Sequence, residues 1–140
     1  MRIAIDTNCL VSALVNPSGT CARIVSAWLS GRAEAVASDT TVREAELVLG
    51  GRWLARMVGR ENVDEVLRRL RAETVWVEEP ARITDLQLKD EGDLRMVETA
   101  VAGGAQYVAT TDREFLSRRG YADVEFVTPG ELLRRLEGGD

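Results

Sequence analysis

Two short, mostly apolar runs in this chain each lead into an aspartate. RIAI, at residues 2–5, is followed directly by Asp6, and YVAT, at 107–110, is followed one residue later by Asp112. A continuous apolar run of this length is typical of a strand that is buried on both faces, as strands are in parallel sheets. The chain is therefore expected to form a mostly parallel central sheet in which at least two strands end close to a carboxylate.

Segments with helical spacing of apolar residues separate the strand-like runs. This alternation predicts an α/β fold, a single-domain three-layer α/β/α sandwich with helices on both faces of the sheet. No linker, repeat or low-complexity tract interrupts it, so residues 1–140 are expected to form one domain. Further strands are predicted at 34–38 and 124–127, with an edge strand or extended segment at 74–80. Helices are predicted at 20–29, from a cap at Ser38 or Asp39 to Gly50-Gly51, from about Asn62, at 93–101, and after a cap at Thr128.

The composition excludes several kinds of site. Histidine is absent, which removes Ser–His and Cys–His nucleophile pairs and argues against zinc. The only cysteines, Cys9 and Cys21, lie in apolar surroundings without metal-ligand spacing, and we expect buried free thiols, as in a cytoplasmic protein. With no leader sequence and no apolar run that could cross a bilayer, no membrane attachment is expected. The net charge of −5 argues against nonspecific coating of DNA but is compatible with a nucleic-acid enzyme.

Four acids that are far apart in the sequence are expected to meet at one edge of the sheet. Asp6 and Asp112 follow strands, while Asp93 begins a predicted helix and Glu44 lies in the first turns of another. The carboxyl ends of parallel strands, and the helices that follow them, share the edge where open α/β folds place their sites. Like charges brought together raise each other's pKa unless a cation neutralises them. Oxygen ligands alone favour a hard cation, Mg²⁺ or Mn²⁺.

Each of these acids also has an ordinary structural interpretation. An aspartate after a strand often forms a turn or caps the next helix, and Asp93 occupies a typical N-cap position. Glu44 could be a solvated helix residue, with Glu46 as a rival for any role in the site. The repetition of a strand followed by an aspartate, together with the sequence Asp-Thr-Asn after the first strand, favours the functional interpretation.

Three segments, taken in order, resemble the PIN domain family, especially its bacterial branch of VapC-like toxins from toxin–antitoxin pairs. They are IAIDTNCLVSALVNP, VASDTTVREAELVL and DLRMVETAVAGGAQYVATTDREFL, and the likeness extends over nearly the whole chain. The resemblance implies a cytoplasmic, Mg²⁺- or Mn²⁺-dependent endoribonuclease that forms a homodimer and binds RNA and a cognate antitoxin protein. It implies catalytic roles for Asp6, Glu44, Asp93 and Asp112, with metal ligation by Asp6, Asp93 and Asp112. It implies supporting and substrate-binding roles for Thr7, Asn8 and Thr110. Asp90 and Glu91 are expected in a solvated loop, where they are candidates for outer-shell charge.

Several alternatives remain open on the sequence. The family often has Asp-Pro-Asp-Asp where this chain has KDEGD, so either Asp90 or Asp93 could be the ligand. A receiver-like phosphoacceptor domain would need a lysine late in the chain, but the only lysine is Lys89. A haloacid-dehalogenase-like phosphatase would need an aspartate where Asn8 lies. A PIN-like binding protein without activity is the third alternative to a nuclease.

Arginines and tryptophans supply two further candidate features. The stretch 52–71 is rich in arginine and could hold phosphates that flank the cleaved bond, or it could be a solvated helical face. Trp28, Trp53 and Trp76 are candidate anchors of a dimer interface, although a tryptophan on an apolar helix face ordinarily belongs to the core.

Overall fold

The computed structural model describes residues 1–138, and a six-stranded sheet forms its centre. The strands are β1 (Arg2–Ile5), β2 (Glu34–Ser38), β3 (Val75–Val77), β4 (Tyr107–Ala109), β5 (Gly120–Tyr121) and β6 (Val124–Val127). Their order across the sheet is β3-β2-β1-β4-β6-β5, and all neighbours are parallel except β5 and β6. The segment predicted at 74–80 therefore supplies an edge strand.

Helices connect the strands and cover the sheet. They are α1 (Thr7–Val15), α2 (Thr20–Leu29), α3 (Asp39–Leu49), α4 (Arg52–Val58), α5 (Arg60–Ala72), α6 (Glu91–Ala102), α7 (Arg113–Ser117) and α8 (Pro129–Leu136). No helix among residues 1–138 combines the length and the apolar character that a membrane span requires.

The sheet has an apolar layer on each face, as the sandwich prediction requires. Along β1, Ile3 and Ile5 join one core while Ala4, between them, joins the other, because successive strand residues point to opposite faces. The larger core also contains residues of α2, α3 and α4, namely Ile24, Leu49 and Leu54. The smaller core contains residues of α6, β4, α7 and β6, namely Val97, Val108, Phe115 and Phe126. The predicted α/β/α arrangement is confirmed.

The register of the sheet brings the ends of β1 and β4 together. Ile5 pairs with Ala109, and the backbone N–H of Asp6 donates to the carbonyl oxygen of Ala109 at 3.1 Å. The backbone N–H of Thr110 in turn donates to Val127 on β6 at 3.0 Å. Asp6 and Thr110 thus leave the sheet side by side, as the expected convergence of strand ends requires.

Most predicted elements occur at their predicted positions, but α1 and three shorter elements were not predicted from the pattern. The bounds of α2 and β2 agree with the prediction, and Ser38 caps α3 by accepting a hydrogen bond from the Thr41 backbone N–H. Helix α6 begins at Glu91, two residues before the predicted start, because Asp90 provides its cap. The elements α4, α7 and β5 have seven, five and two residues, which is too short for a periodic pattern to be visible.

The cysteines and tryptophans differ in their exposure. Cys9 and Cys21 are buried free thiols, as predicted. Trp28 belongs to the core, and its Nε1 donates a hydrogen bond to the Glu73 carbonyl oxygen at 2.8 Å. Trp76 is half-buried, whereas Trp53 on α4 is 56% exposed. Only Trp53 is therefore largely available to a ligand.

Candidate active site

Asp6 is a buried carboxylate that its helix does not use. It occupies the N-cap position of α1, yet its side chain forms no capping hydrogen bond. Thr110 Oγ1 donates to Asp6 Oδ2 at 3.0 Å instead. Burial raises the pKa of Asp6 above its ordinary value, and the charges of Asp112 and Asp90 raise it further, although the hydrogen bond from Thr110 opposes this. The sequence-based alternative, a simple helix cap, does not describe this side chain.

Thr110 connects the ends of the two central strands. Its fully buried hydroxyl donates to Asp6 and also accepts a hydrogen bond from the Asp112 backbone N–H at 3.1 Å. Asp112 itself is exposed, and its Oδ1 accepts a hydrogen bond from the Phe115 backbone N–H at 3.0 Å, which caps α7. One oxygen of Asp112 therefore acts as a helix cap, as the ordinary interpretation predicts. The charge of the same carboxylate also raises the pKa of Asp6.

Asp90 and Asp93, both at the beginning of α6, have different roles. Asp90 Oδ1 caps the helix by accepting hydrogen bonds from the backbone N–H groups of Gly92, at 2.7 Å, and Asp93, at 3.3 Å. The Asp93 carboxylate lies in the first turn of α6. The pKa of Asp93 is raised to about 7, and burial is the largest cause. The remaining contributions come from four other acids, Asp6, Asp90, Asp112 and Glu44. Asp93 is therefore the position where the predicted acids converge.

Glu44 reaches this cluster from α3, across the first turn of α6. A Cβ atom at Gly92 would overlap the Glu44 carboxylate, so the glycine leaves the space that the carboxylate fills. Burial raises the pKa of Glu44, with additional effects from Asp90 and Asp6. Glu46 instead forms an ion pair with Arg71 at 2.8 Å. Of the two glutamates, only Glu44 belongs to the acidic cleft, the site formed by Asp6, Glu44, Asp93 and Asp112.

Gly92 is a contributor that the sequence prediction missed. A glycine in the first turn of a helix lowers helix stability, so its presence in KDEGD was a usable signal of a close contact. The partner in that contact, Glu44, could not be identified without the packing of α3 on α6.

The remaining predicted residues surround the cleft in different ways. Thr7 is buried directly after Asp6, as the first residue of α1. Asn8 is exposed on the first turn of α1. Glu91 is exposed and forms an ion pair with Arg95 at 3.1 Å, so its charge is compensated outside the cleft.

The cleft has a negative charge without a compensating cation from the protein. Among residues 1–138, no arginine or lysine forms an ion pair with Asp6, Glu44, Asp93 or Asp112. In the same described range, no three acidic, histidine or cysteine side chains are arranged closely enough to hold a metal ion as they stand. Mg²⁺ usually retains several waters and binds through only one or two carboxylates. The donor set therefore fits a hydrated hard cation and does not fit a closed protein cage.

Comparisons with known proteins agree with this fold. A family model described as "PIN domain" matches residues 2–114. Among solved structures, the chain resembles one from the crystal structure of VapBC2 from Rickettsia felis bound to a DNA fragment from their promoter. That match has a TM-score of 0.58 and 13% sequence identity, and it covers 91% of this chain and 98% of the other. The comparison with curated proteins gives no match. Because the family model extends over most of the sequence, the predicted resemblance is confirmed, and the chain belongs to the PIN domain family.

Proposed function

We propose that the protein is a Mg²⁺- or Mn²⁺-dependent endoribonuclease with its active site in the acidic cleft. One observation carries the proposal: Asp6, Glu44 and Asp93 converge without a neutralising cation, and the pKa of each is raised by burial and by neighbouring acids. An anionic phosphodiester would be repelled from such a cleft unless a divalent cation were bound. Membership of the PIN family supports nuclease activity, without specifying the metal or the substrate.

The residues of the cleft would divide the work as follows. Asp6, Asp93 and Asp112 would hold the ion, and Thr110 would keep the Asp6 carboxylate in a fixed orientation through its hydrogen bond. A bound ion would neutralise the cleft and supply an activated water for hydrolysis. Glu44, whose pKa is raised by burial and by neighbouring acids, would orient the attacking water. Thr7 and Asn8 would lie beside the scissile phosphate, with Asp90 and Glu91 in the outer shell.

A toxin role with a protein antitoxin is part of the same proposal. It is supported by the similarity in fold to a chain of the VapBC2 structure and by the resemblance of the sequence motifs to VapC-like toxins. A homodimer and a cytoplasmic location are further expectations from that resemblance. The family assignment argues against the receiver-like and haloacid-dehalogenase-like alternatives. An inactive PIN-like binding protein is then the alternative to test.

The experiment is cleavage of a mixed-sequence RNA by the purified protein. We expect internal cleavage with Mg²⁺ or Mn²⁺ and none in EDTA. Cleavage that persists in EDTA would contradict the metal-dependent mechanism. Binding of RNA without any cleavage in either metal would favour the inactive binding protein.

Two neighbouring glutamates provide a matched pair of variants for the same assay. Glu44→Gln should lower the rate by about 100-fold or more, because a group that positions or deprotonates water contributes on this scale. Glu46→Gln changes the same side chain on the same helix, but its carboxylate pairs with Arg71 outside the cleft, so the rate should stay near that of the wild type. Equal losses in both variants would contradict the assignment of Glu44 to catalysis.

A further inference from the structure

The arginines of the stretch 52–71 form two groups with different electrostatic surroundings. The three at the end of α5 are compensated, since each forms an ion pair with a glutamate: Arg68 with Glu65, Arg69 with Glu73, and Arg71 with Glu46. The other three, Arg52, Arg56 and Arg60, are exposed. Within residues 1–138, none of these three lies within ion-pair distance of an acid, although Glu61 and Asp64 are nearby in the sequence.

The three uncompensated arginines lie on the same patch of the surface. Arg52, Arg56 and Arg60 line one shallow hollow together with Ala55. Arg52 and Arg56 are four residues apart on α4, which places them on one face of the helix. In a chain with a net charge of −5, such a local concentration of free positive charge favours a polyanionic ligand.

The neighbouring face of α4 presents an exposed aromatic ring. Trp53 and Met57 line a groove together with Ser12 and Val15 of α1, and Thr111 lies at the same groove. Thr111 separates Thr110 from Asp112 in the sequence, so the groove adjoins the acidic cleft. Its volume of about 620 Å³ falls within the range of pockets that hold small organic ligands.

We propose that α4 and Arg60 form a binding site for single-stranded RNA beside the acidic cleft. Arg52, Arg56 and Arg60 contact consecutive phosphates, and Trp53 stacks on an unpaired base. This site rests on the proposed ribonuclease function and specifies the form of its substrate. The combination of a basic track with an exposed aromatic ring is how proteins hold single strands, whereas the bases of a duplex are not available for stacking. An apolar groove alone would suit a protein partner equally well, but the three free arginines favour RNA.

The test measures equilibrium binding of a fluorescein-labelled single-stranded RNA of about 12 nucleotides, a length suited to one such surface. The readout is fluorescence anisotropy in EDTA, where metal-dependent cleavage does not occur. The variant Arg52→Gln/Arg56→Gln/Arg60→Gln should bind at least about tenfold more weakly. Its plot of log affinity against log salt should be shallower by about 2, because each lost phosphate contact on a single strand contributes about 0.7.

The matched control is Arg23→Gln/Arg68→Gln/Arg71→Gln, which lowers the net charge equally. Its three arginines are also exposed, but each has an acidic partner. This control should bind RNA nearly as the wild type does and keep the same salt dependence. Equal losses in both triple variants would overturn the proposal, because the effect would then come from net charge alone.

Variants at Trp53 test the stacking contact separately. Trp53→Leu keeps an apolar side chain but should weaken binding on the order of tenfold, the scale of one stacked base. Trp53→Phe retains an aromatic face and should keep most of the affinity. RNA should quench the tryptophan fluorescence of the wild type but not that of Trp53→Phe. Circular dichroism of each variant checks that the fold is intact, which the exposure of these side chains leads us to expect.

The outcomes separate this site from the proposed cleavage activity. If RNA is cleaved with Mn²⁺ but the first triple variant binds like the wild type, the α4 site is wrong and the cleavage mechanism stands. The groove would then be available to a protein partner. If RNA binds through α4 but is not cleaved with any metal, the α4 site stands and the proposed nuclease function is wrong.

Discussion

Two of the acids in helix α6, Asp93 and Glu98, lie in opposite electrostatic environments. Glu98 is 3% exposed and is surrounded by donors. Arg95 Nη1 donates to Glu98 Oε1 at 2.7 Å, and the Ile83 backbone N–H donates to Oε2 at 2.8 Å. Arg82 lies 3.8 Å from the same carboxylate. Asp93, one turn and a half earlier, has only other acids as its charged neighbours, and its pKa is raised to about 7.

The difference separates a charge that serves the fold from charges that the proposed function assigns to a metal ion. A buried carboxylate with a close arginine and a backbone donor is satisfied, and it fixes the segment before α6 against the helix. Carboxylates that lie close together without a cation repel each other and destabilise the folded state, and a bound cation would remove this repulsion. Such local destabilisation is commonly found where function requires it. We therefore expect changes at the two places to have opposite consequences for stability and activity.

The largest expected effect is the loss of cleavage in Asp6→Asn. We expect a decrease of about 10³-fold or more, because metal-ligand interactions supply several kcal/mol and each 1.36 kcal/mol is a factor of ten in rate. The same variant should melt in EDTA at the same or a higher temperature than the wild type. Asparagine removes a charge from the cluster and can still accept the hydrogen bond from Thr110. Thermal melts by circular dichroism in EDTA provide the measurement. A much lower melting temperature would identify Asp6 as a structural residue.

Glu98→Gln should show the opposite behaviour, a loss of stability. Glutamine cannot form the buried ion pair with Arg95, and we expect a loss of about 3 kcal/mol in the free energy of unfolding, measured by urea denaturation. Glu91→Gln is the control, because Glu91 is an exposed partner of the same Arg95 and its loss should be nearly silent. If Glu98→Gln were as stable as the wild type, the proposed structural role of Glu98, in contrast to that of Asp93, would be wrong.

Gly92→Ala should lower activity without lowering stability. The new methyl group would displace the Glu44 carboxylate, and we expect cleavage to fall on the order of tenfold, the lower end of what a positioned acid–base group contributes. Alanine favours a helix over glycine by up to about 1 kcal/mol, so the melting temperature should stay the same or rise. Gly130→Ala, at the same position in the first turn of α8, has only Thr128 Oγ1 at 4.0 Å from the new Cβ and should keep its activity. Full activity of Gly92→Ala would show that the position of Glu44 does not matter.

The smallest expected effect is a pH dependence of stability in the metal-free protein. The pKa of Asp93 is about 7 in the folded state, compared with 3.8 ordinarily, so the folded state binds more protons than the unfolded state between these values. Stability should therefore fall as pH rises through this window, and we expect the melting temperature in EDTA to decrease by about 5 °C from about pH 5 to about pH 8. Asp93→Asn should flatten the curve. A melting temperature of the wild type that rises with pH over this range would contradict the raised pKa of Asp93.

The sequence predicted those parts of the molecule that depend on local pattern. The bounds of α2 follow from helical spacing and those of β2 from its short apolar run, and the meeting of Asp6 with Asp112 follows from the geometry of parallel strands. The contact between Glu44 and Gly92 depends on how α3 packs against α6, so no local pattern contains it. The burial of Glu98 likewise depends on the segment around Ile83, which has no periodicity. The metal and catalytic roles of the site residues remain predictions.

The most direct test is the anomalous diffraction of a crystal soaked in Mn²⁺. We predict a manganese peak between Asp6, Asp93 and Asp112, with carboxylate oxygens at about 2.1 Å and water completing the coordination. The same soak of an Asp6→Asn crystal should show no peak, or a much weaker one. A wild-type crystal with no anomalous density in the cleft at saturating Mn²⁺, or with manganese bound only elsewhere, would contradict the proposal that these uncompensated carboxylates form a metal site.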